Sequence, residues 1–429
     1  MEKKDILRIR GLAEKVREIA ELDIQEKNRK NWEAVNDLRM IKPAIHTRDI
    51  QIINLNYNDE LTPVASDPFL RQIEQDLLLK LYEWEHIRCD RVIEPFINCQ
   101  ALIKNDQFGI EAKVTETEDS TSVEYGVSDF RTSGEFNNAK HYEPQIFDES
   151  DIEKIKMPAI SWDKDGTYKK MEMMNEVLNG VLEVKLHGIS DFGHTPWDQI
   201  VKWMGVGETL YNLAVDPGLM HKIIARYMEC AVAQIKTCED LGILSSNNCF
   251  TDIGNNDPGY TTQLPPPTES GIGCKLKDVW GHNADQIFTS VSPAMSEEFA
   301  FHYEGGYSEH FGLFSYGCCE RLDHKVEGMT RNLRRLRKIS VSPFAKLEPM
   351  LEQLGSGYVA CFKPNSIYLA NPTPDYDHLR RELIEVCGLA QKYNTNLIIN
   401  MKTIITLRGE PQRIWKWCDM AREIVDGFY

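Results

Sequence analysis

Short β-rich runs and longer helical patterns alternate without interruption through the last third of the chain, and this rhythm restricts the fold more than any other feature. HFGLFSYGCC reads as a strand, ERLDHKVEGMTRNLRRLR as a helix, KISVSP as a strand and FAKLEPMLEQLG as a helix. YVACFKPN, DYDHLRRELIEVCGLAQKYN, NLIINMKTI and EPQRIWKWCDMAREIV repeat the pair twice more. Strands alternating with helices of roughly 10–20 residues indicate parallel βαβ units.

The same rhythm extends upstream. LEVKLHGI is a strand, PWDQIVKWMG and VGETLYNLAVDP are helical, and a long amphipathic segment opens at Pro217 and closes at Gly242. LSSNNCFTDIG and QIFTSVSP have strand length and end in turn residues. Earlier still, DPFLRQIEQDLLLKLYEWEHI is a helix with Pro68 near its start, and RVIEPFINC a strand. About eight strands result, which predicts an α/β chain closed into a (β/α)8 TIM barrel. With 429 residues and no linker or short repeat, one domain over 1–429 is expected. Residues 1–45 are expected as a helical extension, and about 108–150, where FGIEAKVTETEDSTSVEYGVSDF alternates with period two, as a β-hairpin insertion.

Charge narrows the function. A formal net charge of −17 repels phosphate backbones and anionic lipid, so neither nucleic acid nor membrane is expected as a partner. The N-terminus is charged throughout and lacks an apolar export core, which points to a cytoplasmic protein whose eleven cysteines stay reduced. Nucleotide-binding, serine-hydrolase and zincin motifs are absent.

Barrel chemistry belongs at the C-terminal ends of the strands. Candidates there are His187, Asp252, Ser292, Cys318, Cys319, Glu320, Cys361, Lys363, Asn365 and Lys402. Soft thiolates with a carboxylate suit Zn²⁺, so Cys318, Cys319, Glu320 and Cys361 form the expected metal set. Neighbouring residues of a strand face opposite ways, so one of Cys318 and Cys319 is structural unless the chain turns there. His187 reads either as a ligand or as a hydrogen-bonded rim histidine, and Asp252 as a ligand-facing carboxylate or a turn cap. Trp280, Phe288 and Tyr303 line a pocket or fill the core. Arg331, Arg334, Arg335, Arg337 and Lys338 neutralise an anionic tail or form a solvated face.

PWDQIVKWMGVGETLYNLAVDPGLMHKI, KISVSP and YVACFKPN resemble the uroporphyrinogen decarboxylase superfamily from about residue 180 onward. The arginine-rich signature of its decarboxylases is missing, since KPAIHTRDIQ offers only Arg48. YGCCE and CFKPN are similar instead to its zinc- and corrinoid-dependent methyltransferases, including those of O-demethylase systems. Their zinc motif is a His-x-Cys followed by a later Cys. Here Cys318 matches the first Cys, Tyr316 stands for the His, and no later Cys occurs near NLIINMKTI. The resemblance implies a methyltransferase acting on a small methylated substrate, favoured as a methyl aryl ether, with a corrinoid (cobalamin) on a separate protein. Zinc would polarise the ether oxygen, with Asp252, His187 and Lys363 placing the substrate or protonating the departing oxygen. The readings held beside it are transfer from the corrinoid to a thiol or pterin, a metal-free decarboxylase, and a non-catalytic protein that binds the corrinoid partner. A homodimer is compatible with all of them.

Overall fold

The strand runs of the C-terminal third become neighbours in one parallel sheet. In the computed structural model, which describes residues 2–116, 140–254 and 257–429, nine parallel strands carry the architecture. They are β1 (Ala44–Thr47), β2 (Phe96–Gln100), β3 (Glu183–His187), β4 (Gly193–His194), β5 (Trp280–Asn283), β6 (Leu313–Tyr316), β7 (Leu336–Val341), β8 (Val359–Phe362) and β9 (Asn396–Met401). Seven of them form a sheet in the order β1-β9-β8-β7-β6-β5-β4, with the first long strand lying beside the last. A second parallel pair joins β2 to β3, and just beyond it Ile189 bridges Leu244 in parallel. The result is an α/β fold around a parallel sheet, with β1 and β9 paired residue for residue from Ala44↔Ile398 to Thr47↔Met401.

Every residue of β6, β8 and β9 is buried, as expected of strands covered on both faces. The last helix, Gln412–Phe428, presents Ile414, Trp417, Cys418, Ala421, Ile424 and Val425 to the sheet and to helix Tyr376–Tyr393. Each such aliphatic side chain contributes about 1.5–3 kcal/mol on burial. Helix boundaries follow their capping chemistry. Asp67 accepts from Phe69 and Leu70 ahead of helix Pro68–His86, and Asn394 closes Tyr376–Tyr393 in the left-handed region.

Two expected strands take other forms. In QIFTSVSP the Asp198 carboxylate accepts from the backbone of Gln286 (3.0 Å) and Ile287 (2.8 Å), turning Gln286–Ser290 into a 3-10 helix. The strand lies just before it, as β5. Ser292 thereby becomes a helix cap rather than a strand-end residue. In LSSNNCFTDIG the Asn247 side chain bonds Ser190 O, Trp280 O and Trp280 N, replacing most of a backbone ladder with one amide. The predicted helix after β6 shortens to Val326–Asn332, because Arg335 adopts a φ of +60° and β7 starts at Leu336.

Helices Lys3–Ala20 and Asp23–Asn36 occupy the N-terminal stretch. Within 108–150, Val114–Glu116 pairs antiparallel with Lys140–Tyr142, and the segment between them lies outside the described residues. Among the described residues, no helix is long and apolar enough to cross a membrane.

Candidate functional site

The turn that follows β6 builds the site. Gly317 has a φ of +93°, and a Cβ there would lie 2.5 Å from Leu322 Cδ1 and 3.0 Å from Ser340 Cβ. Glycine is therefore required, and the chain leaves the strand immediately after Tyr316. The alternation that would set Cys318 and Cys319 on opposite faces ends there, and their sulfurs stand 3.5 Å apart.

The backbone of this dipeptide is pinned at each end. Glu320 accepts from Cys318 N at 2.8 Å, Ser340 Oγ and Lys363 Nζ both donate to Cys318 O at 2.6 Å, and Ser342 Oγ donates to Cys319 O at 2.8 Å. Lys363 also donates to Ser340 Oγ. From the neighbouring β9 exit, the Lys402 ammonium reaches the Cys318 sulfur at 3.5 Å. The consequence is electrostatic. The hydrogen bond from the Cys319 thiol lowers Cys318 against the cost of burial, Lys363 and Lys402 add to the effect, and the thiol is held at about 6. Cys319 moves the other way, raised because it donates that hydrogen bond and is itself buried.

Lys402 leads to a second polar group. Its Nζ lies 3.5 Å from Asp49 Oδ2, and Asp49 also pairs with Arg48 Nε at 3.1 Å. Arg48 lies 3.5 Å from Asp252 Oδ2, and Asp252 meets His46 Nε2 at 2.9 Å. Burial alone would keep His46 neutral, but the Asp252 carboxylate reverses this and holds the imidazole up at about 9. Burial likewise pushes Asp252 up, and His46, Arg48 and Arg91 override it to leave the carboxyl at about 2. Asp49 and Thr403, which leave β1 and β9, have φ values of +54° and +56°. Such backbone costs about 1–3 kcal/mol per residue and gathers where geometry serves function. Against this group lies a cavity of about 240 Å³, lined by the charged Arg48, Asp49 and Asp252 as well as by the apolar Ile52, Leu79 and Phe250.

The other expected site residues divide. Lys363 joins the cysteine turn and Asp252 the adjacent group, whereas His187 bonds Ser190 Oγ at 3.0 Å and is kept neutral by burial. Cys361 sits one pleat deeper than Lys363, fully buried among Trp32, Val35, Ala44 and Ile398. Burial raises its thiol first and the negative charge of Asp257 raises it further. Asp257 in turn pairs with the buried Lys338. Trp280 and Phe288 are core residues; Tyr303 is part-buried, its hydroxyl 2.9 Å from His221 Nδ1. Arg331 is spent on Glu297 and Glu327, so no anion-binding patch emerges from it.

A catalytic zinc needs three protein donors converging on one point. Both Glu320 oxygens accept backbone N–H groups, from Cys318 and from Asp285. Cys361 belongs to the deeper layer, and Tyr316 turns its hydroxyl toward Asp285 Oδ2 at 3.4 Å. On the Cys318 sulfur stands an ammonium, whose charge opposes a metal ion at the same place. Among the described residues no three His, Cys, Asp or Glu side chains gather as a ligand group. The quartet Cys318, Cys319, Glu320 and Cys361 is not brought together, and these residues do not fit zinc.

Residue-by-residue reading missed His46, Asp49 and Ser340 as site residues, named Arg48 only as the lone arginine of its segment, and did not single out Lys402 from the strand ends; Lys338, read as part of a basic cluster, is instead buried against Asp257. One signal was available. Lys338-Ser340-Ser342, Cys361-Lys363 and Asn400-Lys402 each place polar residues two apart in an otherwise apolar strand, which marks a polar interior face.

No family model matches the sequence, and no curated protein matches it. Among solved structures, a methyltransferase from Methanosarcina mazei is similar to this chain with a TM-score of 0.49 and 10% sequence identity, covering 92% of this chain and 98% of that one.

Proposed function

We propose that this chain is a methyltransferase that takes the methyl group of a small methyl aryl ether and passes it to a corrinoid carried by a separate protein. The observation that carries the proposal is the set of fixed cations at the strand ends. Lys363 and Lys402 flank Cys318, and Lys402 also meets Asp49, which with Arg48 lines a cavity of mixed charged and apolar character. Breaking an alkyl C–O bond leaves charge on oxygen, and preorganised cations in a water-poor site stabilise that charge strongly. Lys402 and Lys363 supply both the charge and a transferable proton, the role for which zinc is used elsewhere. Zinc has no part in this proposal.

Cavity size supports the substrate class. About 150 Å³ is enough to bind benzene, so 240 Å³ beside Phe250 and Leu79 suits one substituted ring and not a tetrapyrrole. The corrinoid is a co-substrate here and supplies a strong nucleophile for a methyl carbon. The sequence resemblance in the C-terminal half supports the same class.

The test is phenol release from a panel of single-ring methoxyarenes with a reduced corrinoid protein. Release matched by methylation of the corrinoid is expected, with Lys402→Met slowed about a hundredfold, since a lost charge-stabilising group typically costs that much. No phenol from any methoxyarene would sink the proposal.

A further inference from the structure

Of the eleven cysteines, Cys318 has the environment of a reactive group, and the proposed reaction as drawn does not use it. We infer that Cys318 is a covalent nucleophile, held by Lys402 and Lys363 where a metal ligand was expected, and that it receives the methyl group on its sulfur. This rests on the methyl-transfer reading above and adds a chemical step to it.

Four features support the assignment. Glu320 fixes the Cys318 N–H, and Ser340 with Lys363 fixes its carbonyl, so both backbone groups of the residue are committed. The left-handed Gly317 aims the side chain after the strand has ended. The Lys402 ammonium lies against the sulfur, and the Cys319 thiol donates to it. Reactivity of a cysteine follows its thiolate, and cations beside the sulfur are what favour that form. A nucleophile anchored this way loses little freedom when a substrate arrives.

The chemistry balances without an oxidant or reductant. A sulfur lone pair attacks the methyl carbon, the S–C bond forms and the C–O bond breaks. The C–O electron pair stays on oxygen, which takes a proton from Lys402. Cys318 is then a neutral thioether. The acceptor of the proposed reaction next attacks the same carbon, the S–C pair returns to sulfur, and Lys402 regains its proton from solvent. Cations that hold the thiolate also make it a better leaving group, so the step reverses readily.

The experiment treats the full-length protein with a chelator and then briefly with methyl iodide at about pH 5, below the thiol's value, where thiolate population tracks thiol acidity, and maps the methylated cysteine by peptide mass spectrometry. We expect methylation first at Cys318, unchanged in Cys361→Ser, and about tenfold slower in Lys402→Met, the factor for one unit of thiol acidity. Methylation no faster at Cys318 than at Cys319, or protection of Cys318 by one equivalent of added zinc, would overturn the inference. Melting temperature confirms that each variant is folded.

The two readings fail separately. A folded Cys318→Ser that still demethylates methoxyarenes at the native rate overturns the covalent step and leaves the methyl-transfer reading intact. Selective methyl iodide labelling of Cys318, with no methoxyarene turned over, keeps the nucleophile and removes the donor class.

Discussion

Two layers of the interior contain the same pair of residue types and put them in opposite states. In the upper layer Cys318 meets Lys402 and Lys363, and its thiol is held at about 6. One pleat deeper, Cys361 lies beside Lys338 and Asp257, and its thiol is pushed well up by burial and by Asp257. The lysines are not the difference. Lys338 is neutralised by Asp257, so the deeper cysteine feels a carboxylate more than an ammonium. Lys402 meets Asp49 at 3.5 Å, where Asp49 is also shared with Arg48 and 42% exposed. Its ammonium stands 3.5 Å from the Cys318 sulfur. The two thiols differ in the charge set against each sulfur, an ammonium in the upper layer and a carboxylate in the deeper one.

The largest expected effect comes from breaking the deeper layer. Asp257→Ala leaves Lys338 buried without its counter-ion, and removing one partner of a buried pair costs about 3–5 kcal/mol. Urea unfolding should show that loss as a lower midpoint. A change under about 1 kcal/mol would mean that the layer already holds water or a neutral lysine, and the contrast with the upper layer would fall. Cys361→Ala is gentler. It removes one fully buried sulfur and leaves the Lys338–Asp257 pair intact, so about 1–2 kcal/mol of stability is expected to go, with methyl transfer unchanged. Lost activity in a folded Cys361→Ala would tie the two layers together chemically.

Much of this was legible in the chain. The βαβ rhythm of the last third translates into β6 through β9 in parallel order because those strands are buried on both faces and read as apolar runs. The middle third was harder. Asn247 replaces a backbone ladder with a side-chain amide, and Asp198 caps Gln286 and Ile287 from 88 and 89 residues away, neither of which leaves a local pattern. The strand-end rule named Cys318, Lys363 and Asp252, and in the structure Lys363 bonds Cys318 O while Asp252 pairs with His46. Glu320 was expected as a metal ligand, and two backbone N–H groups claim its carboxylate instead. The juxtaposition of Lys402 with Cys318, 84 residues apart, depends on the order of the strands in the sheet and cannot be read from spacing.

Sharpening the upper layer calls for Lys402→Met. The substitution keeps the length and removes the charge, so the thiol should lose acidity and alkylate about tenfold more slowly at about pH 5, about 1.4 kcal/mol of interaction. An unchanged alkylation rate would move the control of Cys318 to Lys363 and the Cys319 thiol.

The smallest effect is on the pH dependence of stability, and it reads the His46–Asp252 pair that borders the upper layer. His46 is raised to about 9 in the folded chain, so its contribution is complete below the unfolded value near 6.5 and is lost as pH climbs toward 9. Asp252 is lowered to about 2, so its contribution is complete above the unfolded value near 4 and is lost as pH falls toward 2. The two together predict a plateau of stability between about pH 4 and 6.5 that declines on both sides. In His46→Gln the alkaline decline between about 6.5 and 9 should flatten, because Asp252 then faces a side chain that binds no proton. Thermal melts at intervals across that window decide it. A variant that keeps the native alkaline slope would assign the decline to other groups and leave His46 neutral beside Asp252, with Arg48 and Arg91 as the cations holding that carboxylate at the edge of the cavity.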